Sequence, residues 1–365
     1  MVSKMLAIRR KHLLQEIKNC GMDAVLIMDA SNLYYYTGFT GGDGMYLCFH
    51  DEPDQGMVIT DSRYYEQVEL ECKNLTLVPL ENRRYSEVIR DIVSKRDNKH
   101  LRIAVEDTMN LLQYLRLGEA CDNCSFEPAN EAIMQSRMVK DENEVALIAK
   151  AESIGDAAFS HILSWIKPGV SEREISLELE YFMKKQGASK LSFDTIVASG
   201  PNSSMPHAQV TDRKIQQGDF VTMDFGCVYK GYCSDMTRTI AIGKPTDEMR
   251  KVYHIVLEAN RRAMDSIKEG IPCNEIDEAA RGYIANEGYG QHFGHGLGHG
   301  VGLDIHEEPR FSPKCNIHTK ENMVITNEPG IYIPGQFGVR IEDLVVVKKN
   351  GCDILSHSDK ELIII

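Results

Sequence analysis

Hydrophobic and polar positions change period several times along the chain. Over residues 6–20 apolar side chains recur every three or four places among Lys, Arg and Gln, which predicts an amphipathic helix. Residues 23–28, DAVLIM, form a short unbroken apolar run that predicts a buried strand, and residues 32–38, NLYYYTG, read as a polar-aromatic turn. Strand-like runs return at residues 56–60 and 101–105, with helical spacing over 85–94. Alternation of this kind predicts a compact α/β domain. The pattern weakens over CDNCSFEPA, residues 121–129, and a long helical periodicity starts at Met138. A boundary is therefore expected near residue 130, giving domains 1–130 and 131–365.

The second domain contains an internal echo. Ile166, Lys167, Gly169, Glu174, Ile175 and Gly187 are matched by Ile267, Lys268, Gly270, Glu275, Ile276 and Gly288, all at one offset of 101 residues. Each copy reads as helix, glycine turn, helix, and in the first copy Ser171 and Glu174 form a capping box. Two pseudo-symmetric halves imply a shared central cleft.

Period-two patterning brings acids together within each half. The segment from Asp219 to Cys227 predicts a buried strand, Tyr229-Lys230-Gly231 a turn, and residues 232–242 the returning strand. Asp224 and Asp235 lie about equally far from that turn, so a simple hairpin makes them a cross-strand pair on one face. Facing carboxylates are destabilising unless a proton or cation neutralises them. Glu328 and Glu342 repeat the arrangement about the turn Pro334-Gly335-Gln336, and Arg340 shares the strand face of Glu342 by parity.

Between the two acidic pairs, glycine occupies every even position from 294 to 302. Helix is disfavoured there, while an extended backbone can approach its neighbours closely and hold His295 and His299 on one side. His306 follows, and His207 lies in the loop that begins Ser199-Gly-Pro-Asn. Four carboxylates with one imidazole balance two divalent cations. Such an oxygen-rich site suits Mn²⁺ first, with Co²⁺, Fe²⁺ or Zn²⁺ as alternatives. Two ions ~3.5–4 Å apart lower the pKa of a shared water and polarise a carbonyl, as hydrolysis of an unactivated amide requires.

Composition narrows the partners. Lys+Arg 41 against Asp+Glu 54 gives a formal charge of -13, the wrong sign for tracking nucleic acid or anionic lipid. With 42% hydrophobic and 26% charged residues, neither disorder nor a fibre fits. No window reaches the ~18 apolar residues of a membrane span, and the N-terminal segment lacks the apolar stretch of a secretory signal. Ten cysteines scattered along the chain imply reduced thiols and a cytoplasmic location. The one CxxC, Cys121 and Cys124, has no second pair at zinc spacing and reads as ordinary thiols.

Together these motifs resemble the pita-bread metallopeptidases, in the branch of Xaa-Pro aminopeptidases and Xaa-Pro dipeptidases (prolidases). The likeness spans nearly the whole chain. It implies an α+β fold, a creatinase-type α/β N-terminal domain followed by a pita-bread catalytic domain with pseudo-two-fold symmetry. It also implies metal ligation by Asp224, Asp235, His299, Glu328 and Glu342, with Glu328 as general base for the bridging water. His207, His295 and His306 match histidines that line the substrate site, and His207 and His306 are expected to serve catalysis. Arg310 matches a contact to the substrate carboxylate in prolidases, Tyr332 and Arg340 match groups supporting the ligands, and a homodimer is implied. Asn327 departs from the aliphatic residue usual before Glu328; by strand parity it points away from the site, so altered packing with intact ligation is expected.

His295 and the long N-terminal domain favour the proline branch over methionine aminopeptidases. The amide before proline has no N–H, so a site that binds its carbonyl and ring is required. The expected activity is therefore dimetal hydrolysis after an N-terminal residue that precedes proline, an Xaa-Pro aminopeptidase acting on peptides with proline second. The alternative is the dipeptidase, which differs in closure of the cleft past proline by Arg310 or a partner subunit. A non-catalytic peptide-binding module of the same fold would have lost ligands, and a metal-free creatine-hydrolysing enzyme would have no use for four converging acids.

Overall fold

Leu13, Leu14 and Ile17 share one face of the first helix, Val2–Asn19, and all three are buried, as their helical spacing requires. The computed structural model describes residues 2–96 and 100–365. They divide into two units, Met1–Arg137 and Met138–Ile365.

The first unit is built on a six-stranded mixed sheet, in the order Thr76–Pro79, Met57–Thr60, Met45–Phe49, Ala24–Ile27, Leu101–Val105, Cys124–Pro128. Ala24–Ile27 is buried at every position, which explains its unbroken apolar run. Residues 32–38 are not the expected turn. They belong to the helix Ala30–Thr37, because Asp29 accepts the N–H groups of Ser31 and Asn32 at its start and Gly38, with φ 81°, ends it. The polar stretch after Cys121 provides an edge strand, where burial is incomplete and periodicity weak.

The division falls after Arg137, beyond the expected residue 130, because the helix Asn130–Met138 is tied back to the first unit. Tyr36 donates its hydroxyl to the Ile133 carbonyl at 2.5 Å, and Arg137 donates to Asn32 Oδ1 at 2.7 Å.

In the second unit the helices Glu172–Lys185 and Cys273–Asn286 begin and end 101 residues apart, at the offset of the sequence echo. Matched glycines share conformation: Gly169 and Gly270 have φ of 93° and 85°, Gly187 and Gly288 of 104° and 89°. Ile166, Ile175, Ile267 and Ile276 are all buried. One half packs its helices on a three-stranded sheet, Met236–Ala241, Phe220–Phe225, Ile196–Ser199. The other packs on five strands in the order Glu307–Phe311, Gly298–Gly300, Val324–Asn327, Asp343–Lys348, Gly351–Ile354, with the hairpin Gly330–Ile333 and Phe337–Arg340 beside them. Among the described residues no helix is long and apolar enough to cross a membrane.

Candidate metal centre

Two registers place the four acids. Tyr229 pairs with Tyr232 across Lys230 and Gly231, whose φ values of 48° and 91° suit a two-residue hairpin turn. That register sets Asp224 opposite Thr237, not opposite Asp235 as expected. Asp235 precedes Thr237 by two residues, so it shares the face and stands diagonal to Asp224. The turn lies one residue later than a simple midpoint, and each such step moves the partner by two.

Glu328 and Glu342 do face each other. Asn327 pairs with Asp343 on one side and Gly330 with Arg340 on the other, so the glutamates meet in the gap between the two ladders. Their N–H groups turn outward: Glu328 donates to the Leu297 carbonyl at 2.8 Å and Glu342 to that of Thr237 at 3.1 Å. Those two bonds join the histidine segment and the aspartate strand to the glutamate hairpin.

His299 lies in Gly298–Gly300, between two strands that leave no room for side chains at the flanking glycines. A Cβ on Gly298 would sit 1.9 Å from the Thr326 carbonyl oxygen, and one on Gly300 2.5 Å from that of Glu308. Alternate glycine therefore serves close backbone approach. The His299 N–H donates to Thr326 Oγ1 at 3.0 Å. Burial pushes the ring down to about 3, so it is neutral near pH 7. Nδ1 lies 3.1 Å from the Gly300 carbonyl and donates to it, leaving the lone pair of Nε2 facing Asp235 Oδ2 at 3.5 Å and Glu328 Oε1 at 3.4 Å.

Acceptors thus converge with no donor between them. Ligand atoms of Asp235, His299 and Glu342 all lie within 4.8 Å of one another. Asp224 Oδ1 is buried without a hydrogen-bond partner among the described residues, while its Oδ2 accepts from Arg340 Nη2 at 2.6 Å. Burial, and then the neighbouring acids, lifts Asp235 and Glu342 far above the usual carboxylate range. Burial pushes Glu328 up to about 8, with Arg340 opposing and Asp224 adding to the rise. Acids whose charge burial disfavours, gathered around a bare imidazole nitrogen, are a set that a divalent cation satisfies by displacing their protons, and the residues fit one.

A cavity of about 420 Å³ is lined by all five of these side chains together with His207, His295, His306, Arg310 and Arg340. Burial and Arg340 push His295 down to about 4, and its Nε2 lies 3.0 Å from the Tyr332 hydroxyl. Burial and Arg310 also lower His306, whose ring centroid is 4.4 Å from that of His299. Arg340 Nη1 donates to Tyr332 Oη at 2.8 Å and to the Pro206 carbonyl, beside His207, at 3.2 Å.

Two threonines complete the centre and were missed in the sequence reading. Thr237 donates to Glu342 Oε2 at 2.6 Å, and Thr326 to Glu328 Oε1 at 3.2 Å. Each lies two residues from an acid of the site, so strand parity was the signal. Phe193 and Ile196 add apolar wall to the cavity.

Asn327 is wholly buried, and its Nδ2 donates to the Asn260 carbonyl at 2.9 Å, behind the site. Cys121 and Cys124 are free thiols, and all ten cysteines are unpaired.

Comparison with known proteins gives the family. Residues 146–349 match metallopeptidase family M24, and residues 9–139 match the creatinase/prolidase N-terminal domain. An Xaa-Pro dipeptidase of Pyrococcus horikoshii is 37% identical over 355 residues, 97% of this chain and 98% of that protein. The solved Xaa-Pro dipeptidase of Bacillus anthracis is 41% identical with a TM-score of 0.93, covering 98% of this chain and 100% of the other. The X-Pro aminopeptidase of Thermotoga maritima is 38% identical with a TM-score of 0.89, covering 98% and 99%.

Proposed function

Since the chain belongs to metallopeptidase family M24 and is an Xaa-Pro peptidase of that family, we propose that it acts as a dimetal Xaa-Pro dipeptidase. This replaces the expected aminopeptidase specificity. The observation that carries it is Arg310, which lines the same cavity as the acids and His299 and among the described residues has only a long ion pair, 4.0 Å, to Glu308. Its guanidinium is free to take a carboxylate, and in an Xaa-Pro dipeptide that carboxylate belongs to the proline itself. Several solved relatives are named prolidases, which supports the same reading.

In this reading Asp224, Asp235, His299, Glu328 and Glu342 hold two divalent ions, Mn²⁺ first. When bound, the ions lower the pKa of a shared water and polarise the scissile carbonyl. Glu328 accepts the water's proton; its raised proton affinity suits that task near neutral pH. His207 and His306, exposed in the cavity wall, steady the reacting amide, and the proton that Glu328 takes from the water goes to the proline nitrogen as the amide bond breaks. His295 shapes the pocket with Tyr332, and Phe193 and Ile196 exclude water from the apolar side of the substrate. A homodimer in a reducing, cytoplasmic setting belongs to the same reading, supported by ten free cysteines for the compartment.

Incubating the Mn²⁺-loaded protein with Ala-Pro, Ala-Pro-Ala and Met-Ala-Ala tests it. Ala-Pro should be hydrolysed at least ~10-fold more efficiently than Ala-Pro-Ala, with Met-Ala-Ala untouched. Faster cleavage of Ala-Pro-Ala would restore the aminopeptidase.

A further inference from the structure

Behind the two glutamates the ladder lacks one bond. Glu328 and Glu342 form a non-hydrogen-bonded pair whose N–H groups point outward to Leu297 and Thr237, and at the next pair Pro329 has no N–H to give the Ile341 carbonyl. The N–H that still crosses the gap is that of Ile341, which reaches the Pro329 carbonyl at 3.4 Å.

A side chain from the helix Asp247–Ser266 spans this place. Asn260 is wholly buried, and its Nδ2 donates to the Asn327 carbonyl at 3.1 Å and to the Ile341 carbonyl at 3.4 Å. Those are the residues immediately before Glu328 and Glu342. The orientation of the amide is set from its other end. Asn260 Oδ1 accepts from Lys360 Nζ at 3.1 Å, and an ammonium has nothing to accept with, so Nδ2 must face the carbonyls. Lys360 in turn binds Asp343 Oδ2 at 2.6 Å, and Arg238 holds Asp343 Oδ1 at 3.0 Å while also donating to the Glu342 carbonyl.

We propose that Asn260 is a positioning residue of the metal centre, its amide standing in at the Ile341 carbonyl for the bond that Pro329 cannot donate, tying that carbonyl to the Asn327 carbonyl and so setting the separation of Glu328 and Glu342. Asn327 contributes through its backbone carbonyl, with its side chain fastened to the Asn260 carbonyl at 2.9 Å. The role rests on the ligand assignment above and is the same for dipeptidase and aminopeptidase cleavage.

Mn²⁺ titration calorimetry on the full chain, with apo melting temperatures and kcat and KM at saturating Mn²⁺, tests the role. Asn260→Asp keeps the shape and the Lys360 contact but removes both donors. It should weaken Mn²⁺ binding ~10- to 100-fold and lower kcat, with KM within ~2-fold. Asn327→Val, which keeps the carbonyl, should bind Mn²⁺ within ~2-fold of wild type. Wild-type affinity and kcat in Asn260→Asp, even with a lowered melting temperature, would overturn the proposal. So would an Asn327→Val loss as large as that of Asn260→Asp. If Asn260→Asp does not fold, Lys360→Met decides, because it unlocks the amide without removing it: weaker Mn²⁺ binding supports the role and wild-type binding overturns it. Asp235→Asn separates the two levels. Unchanged binding there would remove the ligand assignment and the positioning role together, whereas weakened binding there with normal binding in Asn260→Asp would remove the positioning role alone.

Discussion

Arg340 holds Asp224 by one oxygen only: Nη2 donates to Oδ2 at 2.6 Å, and Oδ1 is left buried with no hydrogen-bond partner among the described residues. The same guanidinium holds Tyr332, the Pro206 carbonyl and Thr237, and Thr237 holds Glu342. One planar fork therefore orients two acids and the loop of His207. Arg340→Met should weaken Mn²⁺ binding by ~10- to 100-fold. Arg340→Lys should not rescue it, because an ammonium cannot serve these directions at once. Calorimetry showing wild-type affinity in the lysine variant would mean that charge alone suffices.

Glu328 is assigned both ligation and proton transfer, and Glu328→Gln separates them. The amide keeps an oxygen of nearly the same shape but cannot accept the water's proton. The variant should bind Mn²⁺ more weakly and stay ~10²- to 10⁴-fold slower even when occupancy is restored by excess metal. Activity that returns together with occupancy, followed by elemental analysis, would leave Glu328 a ligand only.

Removing the guanidinium of Arg310 should act chiefly on the substrate's carboxylate, beside a smaller rise in the proton affinity of His306. Arg310→Ala should raise KM for Ala-Pro by ~10-fold or more, the size of a lost charge-assisted hydrogen bond. Ala-Pro-amide, which lacks the carboxylate, should show little change. Equal losses on the two substrates would place Arg310 away from that group.

The acidic centre makes stability depend on pH in a definite direction. Glu328 titrates from 4.5 in the unfolded chain to about 8 when folded, mainly through burial, and Asp235 and Glu342 move the same way. The folded form then binds more protons than the unfolded one, so its advantage is full below about 4.5 and is lost as pH rises through about 8. Protein stripped of metal by chelator should melt progressively lower from about pH 6.5 to 8, above the range in which His295 and His299, lowered to about 4 and about 3 from 6.5, take up protons on unfolding and oppose the carboxylates. Mn²⁺ displaces the protons, so the rise in melting temperature that it produces should grow with pH. Thermal melts with EDTA and with Mn²⁺ check both slopes, and a flat EDTA series would contradict the proton-bearing cluster.

Much of this centre was legible before any coordinates. Alternate glycine around His299 marked a crowded extended segment, and the 101-residue echo marked two halves whose second helices now superimpose in numbering. The pairing of Glu328 with Glu342 followed from equal distances to one turn, and it holds because the ladders on both sides of the gap keep one register. The pairing of Asp224 failed by two residues, since a hairpin turn is placed by which residues tolerate positive φ, here Lys230 and Gly231, and not by symmetry between acids. The helix Ala30–Thr37 was hidden for a similar local reason, its cap Asp29 lying outside the aromatic run that drew attention.

The sequence by itself determined the two-part α+β architecture and nominated the acids and histidine of the candidate centre and the faces that carry them, because periodicity and glycine placement act within a few residues of backbone. The tertiary structure alone decided that Asn260 spans the glutamate strands, that Arg340 serves both Asp224 and Thr237, and that Leu297 and Thr237 receive the glutamate N–H groups. Those partners are brought together by burial of distant apolar faces, which no local window of sequence contains.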